Sequence, residues 1–185
     1  INGTNFTTDI NNVVVSFDDV VAEINSINNQ EISIKLPNTE KNIPLLKVEI
    51  KNNYDSTRSF AVERKNYGYE VSSLGEKLPF VDTANVYRYL HNYKKIHFDL
   101  ANYILNDTEC DSLKNSRPFA EILLDEKGGK KTHLKLFRIK ADAPQRNEFG
   151  EMVNMDMNKF WCALPSGEIV KCQYHVFNPL LFGHI

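Results

Sequence analysis

The chain has 185 residues, 42% hydrophobic and 25% charged, with a formal net charge of -2 and a pI near 6.2. Such a chain is long enough for one good core or for two small units sharing a sheet, and its charge excludes a global pull toward nucleic acid or an anionic membrane surface. No apolar run approaches the roughly 20 residues of a spanning helix.

Residues 1–43 read as an N-terminal helix/strand segment and 44–185 as the main α+β domain. The first twelve residues are rich in Asn and Thr and are expected to be irregular, with Val13 to Val15 as a short strand. The chain opens on Ile1 rather than Met, as a processed or trimmed product is expected to. Ser16 is placed to cap a helix in which Phe17, Val20, Val21, Ile24 and Ile27 form an apolar stripe; the Val run equally favours a strand in part of this region. Glu31 to Leu36 alternates as a strand, and Pro37 to Pro44 is a linker or long loop. Leu46 to Ile50 resumes alternation, followed by a turn at Asn52 to Asp55.

The stretch from Ser59 to Asp99 organises the main domain. Phe60 and Val62 point one way and Ala61 and Glu63 the other, a half-buried strand. Asn66-Tyr67-Gly68 is a hairpin turn into a second strand, and GEKLPFV is a loop. Asp82 then has the position of an N-cap, its carboxylate available to the free amides of a first turn. Val81 and Val86 occupy the staple positions around it. Val86, Tyr89, Leu90 and Tyr93 recur at three- and four-residue spacing and predict an amphipathic helix over about 82–93. Lys94 and Lys95 suit its C-terminal dipole. A returning strand is expected at Ile96 to Asp99.

Beyond Asp99 the chain to Ser116 mixes short helix with loop, and Pro118 ends it. The run from Ala120 to Ile139 is a hairpin around Lys127-Gly128-Gly129-Lys130, with Ile122 and Leu124 on one strand sharing a face with Leu134, Leu136 and Arg138. Residues 140–157 read as a long loop, and a second hairpin turns at Ser166-Gly167. The apolar residues after His175 exceed what a free tail leaves in water; a short turn packed under the last hairpin is expected, with Pro179 limiting regular helix. The predicted class is α+β: antiparallel sheet of successive hairpins with the 82–93 helix packed on one face.

No complete catalytic constellation emerges, and no cofactor or metal site is expected. Asp107, Glu109 and Asp111 alternate as a calcium loop begins, but Ser112 and Pro118 occupy its diagnostic Gly and Glu positions. Gly128-Gly129-Lys130 lacks the spacing of a phosphate loop. None of the histidines has zinc spacing. His97 and Asp99 would share a strand face as a His–carboxylate pair, open to a packed role or to general-base work in a hydrolase. Cys162 and Cys172 flank a turn and read as small buried hydrophobes, or as a bridge that would mark an oxidising compartment. Tyr67, Tyr69, Tyr87 and Tyr103, with His97 and Asp99, form the candidate ligand or partner surface. Aromatics interleaved with Arg64 and Arg88 suit stacking on a small ligand, glycan or peptide, with 140–157 as a lid. Packed rings with wet hydroxyls are the plainer reading.

Several segments taken together carry a resemblance: IPLLKVEIKNN, STRSFAVERKNYGYEV, DTANVYRYLHNYKKIHFD, RPFAEILLDEKGGKKTHLKLF and MNKFWCALPSGEIVKCQYHVFNPLLFG. Over residues 44–183 the chain resembles an uncharacterised bacterial cell-envelope domain family. It occurs with auxiliary, substrate-binding-like subunits of gliding-motility-type ABC transporters and in stand-alone membrane-anchored proteins. Tyr69 stands where many such domains carry Trp. The resemblance implies an extracytoplasmic domain at the periplasmic face of the inner membrane, with envelope proteins as partners. Taken with the lack of a complete catalytic constellation, it leads to the expectation of a non-enzymatic module acting by protein–protein contact. Any membrane contact would run through a segment outside this chain.

Overall fold

The computed structural model describes residues 45–183 except 67, 148 and 149, and within the first 44 residues it describes 9, 13, 16, 17, 20, 21, 23–28 and 30–35. The chain falls into two compact units, Ile1–Ile43 and Pro44–Ile185.

The first unit contains two antiparallel hairpins. β1 (Ser16–Phe17) pairs with β2 (Val20–Val21), and β3 (Glu23–Ile27) pairs with β4 (Ile32–Lys35) in the register Ile24↔Ile34 and Ile27↔Ile32. The helix expected from Ser16 is therefore replaced by strands. Val20, Val21, Ile24 and Ile27 are all β-branched; they lose side-chain freedom in a helix and fit a pleated surface. The β3–β4 turn is set by Asn28, whose Oδ1 accepts from the amides of Gln30 and Glu31 at 2.8 Å. The strand expected at Glu31 to Leu36 is present as β4. The linker from Pro37 to Pro44 and the strand from Val13 to Val15 fall on residues largely outside those described.

The second unit is α+β. Its strands are β5 (Leu45–Asn52), β6 (Phe60–Lys65), β7 (Gly68–Ser73), β8 (Glu76–Lys77), β9 (Leu100–Ala101), β10 (Ala120–Glu126), β11 (Lys131–Arg146), β12 (Met152–Ala163) and β13 (Ile169–Gln173). They form one antiparallel sheet in the order β8-β7-β6-β5-β10-β11-β12-β13-β9. Three helices accompany it: α1 (Thr83–Asn92), α2 (Asp107–Asn115) and α3 (Tyr174–Leu181).

Alternation sorts the side chains of the sheet. Val48 and Ile50, Val62, Val71, Ile122, Leu136, Phe160 and Cys162 share one face by register, and all are buried. The helices bring Val86, Tyr89 and Leu90 of α1 and Phe177, Leu180 and Leu181 of α3 to the core. Tyr89 stands edge-on to Phe60 at 5.6 Å, and Phe177 edge-on to Phe160 at 5.1 Å. Burying Phe177, Leu180 and Leu181 contributes roughly 5–8 kcal/mol before entropy, so the C-terminal segment is built into the core despite Pro179 inside its helix.

The opposite face is divided. At the β13 end, Phe137, Trp161, Ala163 and Ile169 form a second core, closed by Leu105, Cys110 and Leu113 from α2 and the loop before it. Across β5 to β8 the same face is a ladder of ion pairs, including Lys47–Glu49 at 3.2 Å, Lys51–Glu49 at 3.4 Å and Lys77–Glu70 at 2.7 Å. Half-exposed pairs of this kind add little stability each; they keep the face wet.

Asp82 caps α1 as expected, accepting from Ala84 N at 2.9 Å and Asn85 N at 3.2 Å. The expected hairpins are present, with Lys65↔Gly68 closing one and Gly68 at φ +132°; Tyr67 lies outside the described residues. Three local expectations are corrected. Ile96 to Asp99 is irregular, and the strand there is Leu100–Ala101, held by Asp99 N donating to Lys171 O at 2.7 Å. The loop read from GEKLPFV begins with β8, because Leu74 and Gly75 both take positive φ (54° and 83°) and close a two-residue hairpin. Residues 140–157 are mostly strand: β11 and β12 continue past their neighbours as a two-stranded ribbon, with register shifts between Arg138 and Gln145 that accommodate Pro144.

Candidate functional site

The ribbon, the core-facing side of the sheet and α3 enclose a cleft of about 520 Å³, within the range of small-molecule sites. Ile50, Asn52 and Ala120 form part of its floor, and Val153, Met155 and Met157 of the ribbon part of its wall. Tyr174, Asn178, Leu181 and Phe182 come from α3 and the residue after it. Arg58 and Arg138 carry the positive charge, and Asp156 the negative.

Each charged group is held. Arg138 is on the apolar face of β11, two residues on from Leu136 and opposite Phe160. Its guanidinium lies over the rings of Tyr54 (5.2 Å) and Phe119 (5.9 Å). Arg117 covers Tyr54 as well, at 5.2 Å, and donates to Asn53 O. Arg58 lies over Phe182 at 5.5 Å while its Nε reaches Asp55 Oδ2 at 3.2 Å. Asp156 Oδ1 accepts from the amides of Asn158 (2.8 Å) and Lys159 (3.0 Å). Burial pushes the Tyr174 hydroxyl above its usual range, with Arg138 pulling it down and Asp156 pushing it up. A second cleft of about 590 Å³, lined by Phe60, Val71 and Leu78, adjoins the first across Arg58, Leu181 and Phe182.

The residues singled out from the sequence lie in separate elements. Tyr69 is half-buried in β7, in a narrow gap with Leu45, Val62 and Leu90. Tyr87 is on α1 beside His91, ring centroids 6.2 Å apart. His97 is exposed, and Tyr103 is 73% exposed beyond β9. Asp99 accepts from Lys159 Nζ at 2.9 Å, and that bond, with one from Gln173, holds its carboxyl below the usual range. Tyr67 lies outside the described residues. None of the five described candidates lines either of these two clefts. Arg138 was legible only as a charged residue sharing a face with Leu134 and Leu136.

Asp107, Glu109 and Asp111 belong to α2. Asn106 and Glu109 form a reciprocal capping box, Asn106 Oδ1 accepting from Glu109 N at 3.0 Å and Glu109 Oε2 from Asn106 N at 2.9 Å. The signal was the Asn-x-x-Glu spacing. Cys162 and Cys172 are buried free thiols. Cys162 sits opposite Val170 and Cys172 opposite Phe160, an offset of one pleat, and a hydrogen bond to Cys172 together with burial pushes the Cys162 thiol far up. Among the described residues, no group of three or more His, Cys, Asp or Glu is placed to hold a metal ion, and no helix is long and apolar enough to cross a membrane.

Comparison with known proteins returns one similarity. Residues 1–63 match the IPT/TIG domain family, about a third of the chain, and the match runs through the first unit into β5 and the start of β6. No curated protein and no solved structure matches.

Proposed function

We propose that the protein is a non-catalytic module that acts by protein–protein contact outside the cytoplasm, accessory to an ABC-transporter-like assembly of the envelope. Three things support this reading. The segments between residues 44 and 183 resemble the envelope family described above. The IPT/TIG match at 1–63 is to an immunoglobulin-like domain type often found in protein–protein interaction. The observation that carries it is the ribbon: Met152, Met155 and Met157 are 60%, 38% and 42% exposed on strands that run past their neighbours. Unbranched thioethers adapt to an apolar partner without a fixed complementary shape. In this reading α1 lies across one face of the sheet as a rigid backing, away from the contact.

An affinity pull-down of the full-length protein from native membranes tests it, run beside a variant with all three methionines changed to Ser. Envelope proteins captured by the wild type and lost from the variant, at unchanged melting temperature, are the expected result. Capture of the same partners by both forms, or of none by either, overturns the assignment to the ribbon.

A further inference from the structure

We propose that the cleft beneath the ribbon binds a small apolar monocarboxylate, with Arg138 receiving the carboxylate. This goes beyond partner binding and concerns the isolated chain.

The starting point is an arginine on the wrong side of a strand. Residues sharing its face, Leu136 and Phe160, are fully buried, whereas Arg138 projects into the cleft. Its guanidinium plane is fixed against Tyr54 and Phe119, which leaves the N–H edge as the available donor surface. Among the described residues it makes no ion pair. A planar fork held by stacking and lacking an acid matches a carboxylate, which accepts two parallel N–H bonds.

Charge in the cleft limits the ligand to a single negative charge. Arg58 is already engaged with Asp55, and Asp156 lies in the lining. A dianion such as a phosphate monoester would meet one uncommitted cation and one carboxylate, a poor charge balance. Apart from Asn52, Asn147, Tyr174 and Asn178, the remaining lining is apolar and adaptable, with Ile50, Ala120, Val153, Met155 and Leu181. The volume of about 520 Å³ suits a medium-length acyl chain or a fused aromatic acid.

Titration calorimetry of the full chain with dodecanoate and with dodecanol, which keeps the apolar body and removes the charge, tests the site. Saturable dodecanoate binding is expected, with dodecanol at least about tenfold weaker, as the loss of one charge-assisted pair implies. Arg138→Met should abolish the difference between the two probes, and Arg138→Lys should restore part of it. Equal affinities in the wild type, no saturation by either probe below about 1 mM, or full discrimination retained in a folded Arg138→Met protein would each overturn the proposal. Should Arg138→Met fail to fold, the wild-type comparison decides alone. Met152→Ser, on the ribbon but outside the cleft lining, should leave dodecanoate binding intact while weakening partner capture, which separates this site from the ribbon contact.

Discussion

Residues 16–27 and 82–93 carry the same periodic signal and fold differently. Both place apolar side chains three and four residues apart after a capping residue. The first becomes three short strands, the second a ten-residue helix. Four of the five stripe residues in the first stretch are β-branched, against only Val86 in the second. Spacing states which faces are apolar; side-chain branching states which backbone can carry them. The second stretch also has a partner from far away in sequence: Tyr89 Oη, which shares a 2.7 Å hydrogen bond with Tyr93 Oη, donates to Leu180 O at 3.1 Å.

Substitutions test the contrast in descending order of effect. Leu90→Asp places an unpaired carboxylate where α1 is 3% exposed, and should cost more than about 5 kcal/mol, abolishing cooperative melting of the second unit. A soluble, cooperatively melting variant would show that the helix stripe does not anchor the core. In the first unit Ile32 is 4% exposed, and Ile32→Ala should cost about 2–5 kcal/mol by hydrogen exchange of the β3–β4 amides.

Alkaline titration comes next. Burial raises both Tyr89 and Tyr93, with Tyr89 also raised by Tyr93. The unfolded chain releases these protons near pH 10 while the folded state retains them, so it binds fewer protons than the native state and stability falls as pH rises. The contribution is complete below about pH 10 and lost from there through the folded values. Tyr89→Phe with Tyr93→Phe should flatten that limb of a denaturation-versus-pH curve. Asp82→Ala removes two cap bonds and should cost about 1 kcal/mol in a urea melt. Smallest is a gain: Leu74 holds φ +54° at an exposed turn, and Leu74→Asn should stabilise by up to about 1 kcal/mol.

What was legible depended on how far apart the deciding residues lie. The Asp82 cap, the turn at Gly128-Gly129 and the Ser166-Gly167 hairpin each rest on neighbours in sequence. The α2 capping box is equally local, but Asp107, Glu109 and Asp111 also alternate as calcium ligands do, and that spacing masks the cap. The 140–157 ribbon was hidden by Pro144 and Gly150, which look like loop residues but sit at a register shift and at the turn. The cleft was beyond reach, as Ile50, Arg58, Arg138, Met155 and Tyr174 converge only once the strands are ordered. The tyrosines looked like one face because they are close along the chain; β7, α1 and the segment beyond β9 carry them to different places.

The strand order also fixes how this unit can assemble. β5 to β8 form one run of consecutive hairpins and β10 to β13 another, and the two runs meet along a single seam where Ile50 pairs Ile122 and Val48 pairs Leu124. Asn53 closes its end, its Nδ2 donating to Pro118 O at 3.0 Å and Glu121 Oε1 at 3.1 Å, partners 65 and 68 residues away. Hairpins form quickly, whereas a ladder of such separation must first absorb the entropy of closing a long loop. The two runs are therefore expected to gain structure early and the seam to set the folding rate. Ile122→Val should slow refolding, and a destabilising change at the Gly128-Gly129 tip, in a hairpin already formed at the barrier, should likewise slow refolding with little effect on unfolding.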